Sequence, residues 1–131
     1  MSQITSLPIE QVIIVPSTQG ATKPAGDKAM KQRVDAVRRF LSQHYGGYTS
    51  VGGVGGWYSG NKHKLIKEYV VKVTGFASKK DYTKNKTAMA NQIIKWGHQW
   101  GQESMGFEKE GDLFLYNTKS KVRAKIKGRR K

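Results

Sequence analysis

Aromatic and basic side chains gather at one place in the chain: Trp57 and Tyr58, followed closely by Lys62, His63 and Lys64. An indole or phenol ring can stack on an unpaired base, and ammonium groups neutralise phosphates with release of counterions, so the grouping has the chemistry of nucleic-acid binding. Lys79, Lys80, Lys84 and Lys86 around Tyr82 repeat the combination. A third basic segment ends the sequence, with Lys119, Lys121, Arg123, Lys125, Lys127, Arg129, Arg130 and Lys131 contributing eight positive charges and no acidic residue between them. The whole chain holds 24 Lys and Arg against 9 Asp and Glu, a net charge of +15. Without residues 119–131 the balance is 16 against 9, or +7, so the body is basic as well and phosphate is the obvious counterpart.

Other chemistries find less support. No phosphate loop of the form G-x-x-x-x-G-K-[ST] occurs, and Gly53-Val54-Gly55-Gly56-Trp57-Tyr58 lacks the last glycine of a dinucleotide fingerprint and lies in a strand context. Cysteine is absent, which excludes disulfides and thiolate metal sites. His44, His63 and His98 have no metal-ligand spacing and the acidic residues form no cluster, so neither a metal nor a cofactor is expected. One enzymatic arrangement stands as an alternative: Glu68, on a strand, and Gln102, Glu103 and Ser104, ahead of the last hairpin, meeting near Trp57 in a polar pocket. No apolar run approaches the roughly 20 residues that span a bilayer, and no signal stretch opens the chain, so an intracellular, cytoplasmic protein with no membrane partner is expected. Asn85-Lys86-Thr87 matches a glycosylation sequon, which has no consequence without secretion.

The elements that must position these residues follow from periodicity. Tyr45 to Phe76 reads as a β-hairpin. Its first arm, about Tyr48 to Tyr58, contains four glycines, the mark of a bend, a bulge or a close backbone approach. The second arm, Leu65 to Phe76, alternates Leu65, Tyr69, Val71 and Val73 against Glu68, Lys72 and Thr74, as a half-buried strand does. The turn Ser59 to Lys64 places the lysines at the tip. Before the hairpin, Gln11 to Val15 predicts a buried strand closed by Pro16 to Gly20, with a loop over Ala21 to Gly26. Met30, Val34, Val37, Leu41 and Tyr45 then form one face of a helix, N-capped by Asp27 and ended by Gly46-Gly47. Its other face, with Lys28, Lys31, Arg38 and Arg39, reads as solvated surface, and His44 suits the negative end of the helix dipole.

Beyond the hairpin, Ala77 to Lys86 predicts a basic loop. A second helix over Thr87 to Gln102 is predicted from Met89, Ile93, Trp96 and Trp100, with the tryptophans in the core and Gly97 permitting a close helix-to-sheet contact. His98 lies off the stripe and reads as exposed. Ser104 to Glu108 and Leu113 to Tyr116 predict a hairpin through the turn residues Glu110-Gly111-Asp112. The order β, α, β, β, α, β with a terminal hairpin predicts an α+β, ferredoxin-like antiparallel sheet with two helices on one face. The expected layout is a flexible lead-in over 1–10, a single domain over 11–117 and a basic tail over 118–131. The open sheet face, which includes Val70 and Phe76, is left for solvent, a partner or a second copy.

The pattern Phe40, Tyr45-Gly-Gly-Tyr-Thr, Val54-Gly-Gly-Trp57, Gly60, Lys67-Glu68, Gly75-Phe76 and Trp100-Gly-Gln102-Glu103-Ser104 resembles a loose group of small uncharacterised ferredoxin-like proteins of bacteria and their viruses. The resemblance covers about residues 11–116. It implies the fold and a viral or mobile-element origin, and no activity; the basic tail and the lysines of residues 79–86 depart from the group's pattern. From the residues themselves the leading expectation is a small nucleic-acid-binding protein that contacts DNA or RNA without sequence specificity and is not an enzyme. The alternatives are an oligomeric ligand-binding or regulatory domain, a binder of an acidic protein, and the small enzyme with the Glu68 pocket.

Overall fold

The computed structural model describes residues 4–20, 23–61 and 63–118. Strand β1 (Ile9–Pro16) is followed by a miniature hairpin of β2 (Thr18–Gln19) and β3 (Lys23–Pro24), helix α1 (Asp27–Tyr45), the long hairpin β4 (Thr49–Ser59) and β5 (Lys64–Ala77), helix α2 (Lys79–Gln99), and a last hairpin of β6 (Ser104–Lys109) and β7 (Asp112–Asn117). The five main strands form one antiparallel sheet in the order β4-β5-β1-β6-β7. This is the expected ferredoxin-like arrangement extended by one strand.

Alternation along the strands decides which face carries the helices. Ile13 and Val15 of β1, Val73 of β5, and Met105 and Phe107 of β6 point to one side and join Val34, Val37, Leu41 and Tyr45 of α1 and Met89, Ile93, Trp96 and Trp100 of α2 in a single core. The spacing of those helical residues puts each set on one stripe. The tryptophans are core, as expected: both are under 10% exposed and their rings stack at 5.6 Å. Gly97 also acts as expected, because a β-carbon there would sit 3.0 Å from Met105 Cγ and collide with the Thr118 side chain. The opposite face is open, with Phe76, Leu113 and Leu115 exposed and a Lys72–Glu108 ion pair of 3.1 Å spanning β1.

Three local expectations need correction. Asp27 is not the N-cap of α1: Gly26, at φ 95, takes that place without a side-chain bond, and Asp27 is the first helical residue, where its charge complements the helix dipole. The segment Ala77 to Lys86 is not a loop. Helix α2 begins at Lys79 because the Ser78 hydroxyl accepts the Asp81 backbone N–H at 3.0 Å, a side-chain N-cap that satisfies one of the helix's orphan donors. The turn after β1 is itself structured, since Thr18–Pro24 and Gln19–Lys23 pair as the miniature hairpin.

Candidate functional site

The long hairpin outruns the sheet. Strand β1 pairs with β5 only as far as Pro16↔Val70, whereas β4 and β5 continue together to Ser59↔Lys64. Glu68 therefore lies just past the end of β1, where the chain leaves the sheet and its next backbone groups need partners. Glu68 supplies them: its Oε2 accepts the Ser17 backbone N–H and the Thr18 hydroxyl, each at 3.2 Å. Ser17 Oγ in turn donates to the Tyr69 carbonyl at 2.5 Å.

Gln102 reaches the same point from the far end of α2. Its side-chain amide donates to the Thr18 carbonyl at 2.8 Å and to the Trp100 carbonyl at 2.9 Å. Glu68 and Gln102 thus converge, as the pocket alternative required, but on Thr18 and not on Trp57. Glu103 and Ser104 do not join them: both are exposed, and Glu103 contributes only its backbone carbonyl, to Thr118 N–H. A third residue completes the junction. Arg33 of α1, 4% exposed, donates from Nη1 to the Pro16 and Thr18 carbonyls at 2.8 Å each, and from Nη2 to Gln19 Oε1 at 3.0 Å. Burial lowers the Arg33 pKa, and the charge of Glu68 opposes that shift.

The strand beside Glu68 is nearly bare. Gly55 faces Glu68 across the hairpin and Gly53 faces Val70, with Trp57 two pairs nearer the tip than Gly55 and so on the same side. A β-carbon at Gly53 would meet nothing within 4 Å, and one at Gly55 would make only ordinary contact with Val70 at 3.6 Å. The glycines are therefore not required by packing on this face. They leave a trough of bare β4 backbone on the open face, across the hairpin from Glu68 and beside the half-exposed indole of Trp57. Such a surface offers a cation both an anionic partner and an aromatic face.

Sequence reasoning missed Ser17, Thr18 and Arg33. Only Arg33 left a signal: at three residues from Met30 and four from Val37 it falls within the apolar stripe of α1, where an unexplained charge has to find buried partners. The residues proposed for nucleic-acid contact are dispersed. Trp57 and Tyr58 are exposed at 52% and 63%, and neighbours along a strand point to opposite faces. His63, in the turn at φ 51, and Lys64 are exposed nearby, and Lys62 lies outside the described residues. Lys79, Lys80, Lys84 and Lys86 project from the first turns of α2, and Tyr82 lies under Lys109 Nζ, 4.4 Å from its ring centroid, so it is already occupied. Lys119 to Lys131 lie outside the described residues, although Thr118, just before them, is buried and donates from its hydroxyl to the Gln102 carbonyl. No group of metal-ligating side chains, and no helix long and apolar enough to cross a membrane, occurs among the described residues.

No protein-family model and no curated protein matches the sequence. Two solved structures match its fold. A phage SAM lyase in complex with S-methyl-5'-thioadenosine superposes with a TM-score of 0.59 at 17% identity, over 89% of this chain and 95% of that one. A phage SAM lyase in the apo state superposes with a TM-score of 0.56 at 19% identity, over 88% and 96%. The resemblance to small proteins of bacteria and their viruses therefore holds at the level of an α+β fold shared with a phage protein. Two expectations are overturned by these neighbours. Both share this architecture almost end to end, are enzymes, and in one case hold a small molecule, so the reading as a non-enzymatic DNA- or RNA-binding protein with a nucleic-acid partner is corrected. The physical reason is that a charge of +15 specifies a sign and no particular partner.

Proposed function

We propose that the chain is a small enzyme that binds an adenosyl sulfonium compound and cleaves it, as a SAM lyase does. The observation that carries this reading is the meeting of Glu68, Thr18 and Gln102 beside the glycine-floored trough, within a fold that matches a SAM lyase over nearly its full length. In such a cleavage the bond between the sulfonium sulfur and the side chain of the methionine part breaks, and both electrons go to sulfur. The sulfur departs as a neutral thioether, S-methyl-5'-thioadenosine. A neutral leaving group needs no proton from the protein. The carbon fragment completes its valence either by giving up a neighbouring proton to water or by closing its own carboxylate onto the electron-poor carbon.

The protein's part is then to hold a cation in a strongly basic chain and keep it oriented. Glu68 suits this task, because Oε2 is anchored by Ser17 and Thr18 while Oε1 has no bond among the described residues. Trp57 offers an indole face on the same side of the hairpin. The bare backbone at Gly53 and Gly55 lets a flat nucleoside lie close to the strand. Incubation of the purified protein with S-adenosylmethionine, followed by chromatography, is expected to yield S-methyl-5'-thioadenosine. Glu68→Gln should slow its formation by about a hundredfold, the scale of one electrostatic contact in an active site. Formation by the unaltered protein no faster than in protein-free buffer would end this reading.

A further inference from the structure

The junction at Thr18 has a second side. Arg33 reaches it from α1 and also lines a cavity of about 350 Å³ between the helices, together with Gln19, Gln32, Gln99, Trp96 and Trp100. A guanidinium has five N–H groups. Three are engaged, two from Nη1 and one from Nη2, all by neutral oxygens; Nε–H and the other N–H of Nη2 make no bond among the described residues. No carboxylate forms an ion pair with Arg33 among the described residues, although it is almost wholly buried. Its ring neighbour is Trp100, 5.3 Å from Cζ to the ring centroid, which packs against one face of the guanidinium and leaves its edge to make bonds. Glu68 acts on Arg33 only at a distance, having spent its Oε2 on Ser17 and Thr18.

We propose that this interhelical cavity is a binding site for a small carboxylate of amino-acid size, held by the free Nε–Nη2 edge of Arg33. That edge presents two parallel N–H groups at the spacing of the two carboxylate oxygens, the geometry that makes arginine the residue for planar anions. One buried cation matches one negative charge, which favours a monocarboxylate over a phosphate dianion. The amides of Gln32 and Gln99 can donate to or accept from the polar groups of an amino acid, while the indoles provide apolar wall. The site is distinct from the trough at Glu68 and does not depend on the lyase reading.

The test is a titration followed by tryptophan fluorescence, in a Trp57→Phe background so that the signal comes from Trp96 and Trp100 at the cavity. The probes are L-methionine, L-methioninamide, sodium acetate and sodium phosphate at matched ionic strength. L-Methionine and acetate should give saturable changes, with L-methioninamide and phosphate at least tenfold weaker. Arg33→Lys, which keeps the charge and loses the fork, should weaken L-methionine at least tenfold. Ala36 of α1 also lines the cavity, so Ala36→Leu narrows it without touching the three bonds of Arg33 and should abolish binding in a protein of unchanged thermal stability. The proposal is overturned if L-methionine and its amide titrate alike, if Ala36→Leu leaves the titration unchanged, or if no carboxylate saturates below about 10 mM.

Discussion

Replacing Gly97 with alanine sets two effects of opposite sign against each other, and the structure decides between them. Alanine is favoured over glycine inside a helix by about 1 kcal/mol, and Gly97 lies in the last turns of α2, so an unconstrained helix would gain from the change. The new methyl group would, however, come within 3.0 Å of Met105 Cγ and overlap the side chain of Thr118. Methionine can turn away. Thr118 cannot move freely, because its N–H is held by the Glu103 carbonyl at 3.1 Å, its hydroxyl by the Gln102 carbonyl, and its own carbonyl by His98. Forcing an extra group into a packed interface costs typically 1 to 3 kcal/mol, and loss of one hydrogen bond adds about 1 kcal/mol. Subtracting the helical gain, Gly97→Ala should destabilise the protein by about 1 to 3 kcal/mol in urea unfolding. Serine at the same position should be no better. A variant as stable as the parent, or more stable, would refute the claim that α2 rests on Thr118 through this glycine.

Other outcomes follow from the same geometry. Gly53→Val should fold with stability unchanged or raised by a few tenths of a kcal/mol, since nothing lies within 4 Å of its β-carbon and β-branched residues suit strands, yet it should lose S-methyl-5'-thioadenosine formation by filling the trough; full activity would show that substrate does not lie there. Thr18→Val removes one hydrogen bond to the Glu68 carboxylate at 3.2 Å, and should cost about 1 kcal/mol of stability and lower the rate more than the affinity for S-adenosylmethionine; an unchanged rate would mean that the anchoring of Oε2 does not matter. Trp96→Ala or Trp100→Ala should each cost about 3 to 5 kcal/mol, while Trp57→Ala should leave the unfolding midpoint nearly unchanged because that ring is half-exposed. Burial raises the pKa of both Tyr45 and Tyr116 above 10.0, so the unfolded chain releases these protons first. Their contribution to stability is complete below about pH 10 and falls away as pH rises through the folded values. Tyr116→Phe should flatten that alkaline loss, as followed by tyrosinate absorbance and unfolding midpoints.

The helices and the order of the strands were legible because they rest on local periodicity. Met30 to Tyr45 and Met89 to Trp100 repeat at helical spacing and lie where that spacing puts them. The start of α2 was hidden by its composition: Ser78, three residues before Asp81, is an N-cap signature, but the lysines between and after them drew the segment toward a solvated loop. The site was harder to see for a different reason. Thr18 meets Glu68 at a separation of 50 residues and Gln102 at 84, and no pattern along the chain reports contacts that distant. Glu68 was visible as a carboxylate on a strand, and Gln102 as a polar residue at a helix end, whereas their meeting point depends on where β1 stops. The basic residues misled because they are conspicuous in composition and, once folded, spread over the hairpin tip and the start of α2.

The central strand of the sheet is also its first in sequence, and this sets the order in which the protein can assemble. Val12 pairs with Thr74 on one side and Glu108 on the other. The hairpins β4–β5 and β6–β7 close over short loops, and both helices form from neighbouring residues, so each can appear early at little cost in chain entropy. Strand β1 must wait for both hairpins. During synthesis its apolar stretch Val12 to Val15 has no partner until β5 has left the ribosome, and gains the second only when β6 follows. A fold with its middle so displaced in sequence has a high contact order and should refold more slowly than a helical protein of equal size. The transient species most prone to aggregate is then the nascent chain that ends before β5, in which the future centre of the sheet is a bare apolar strand.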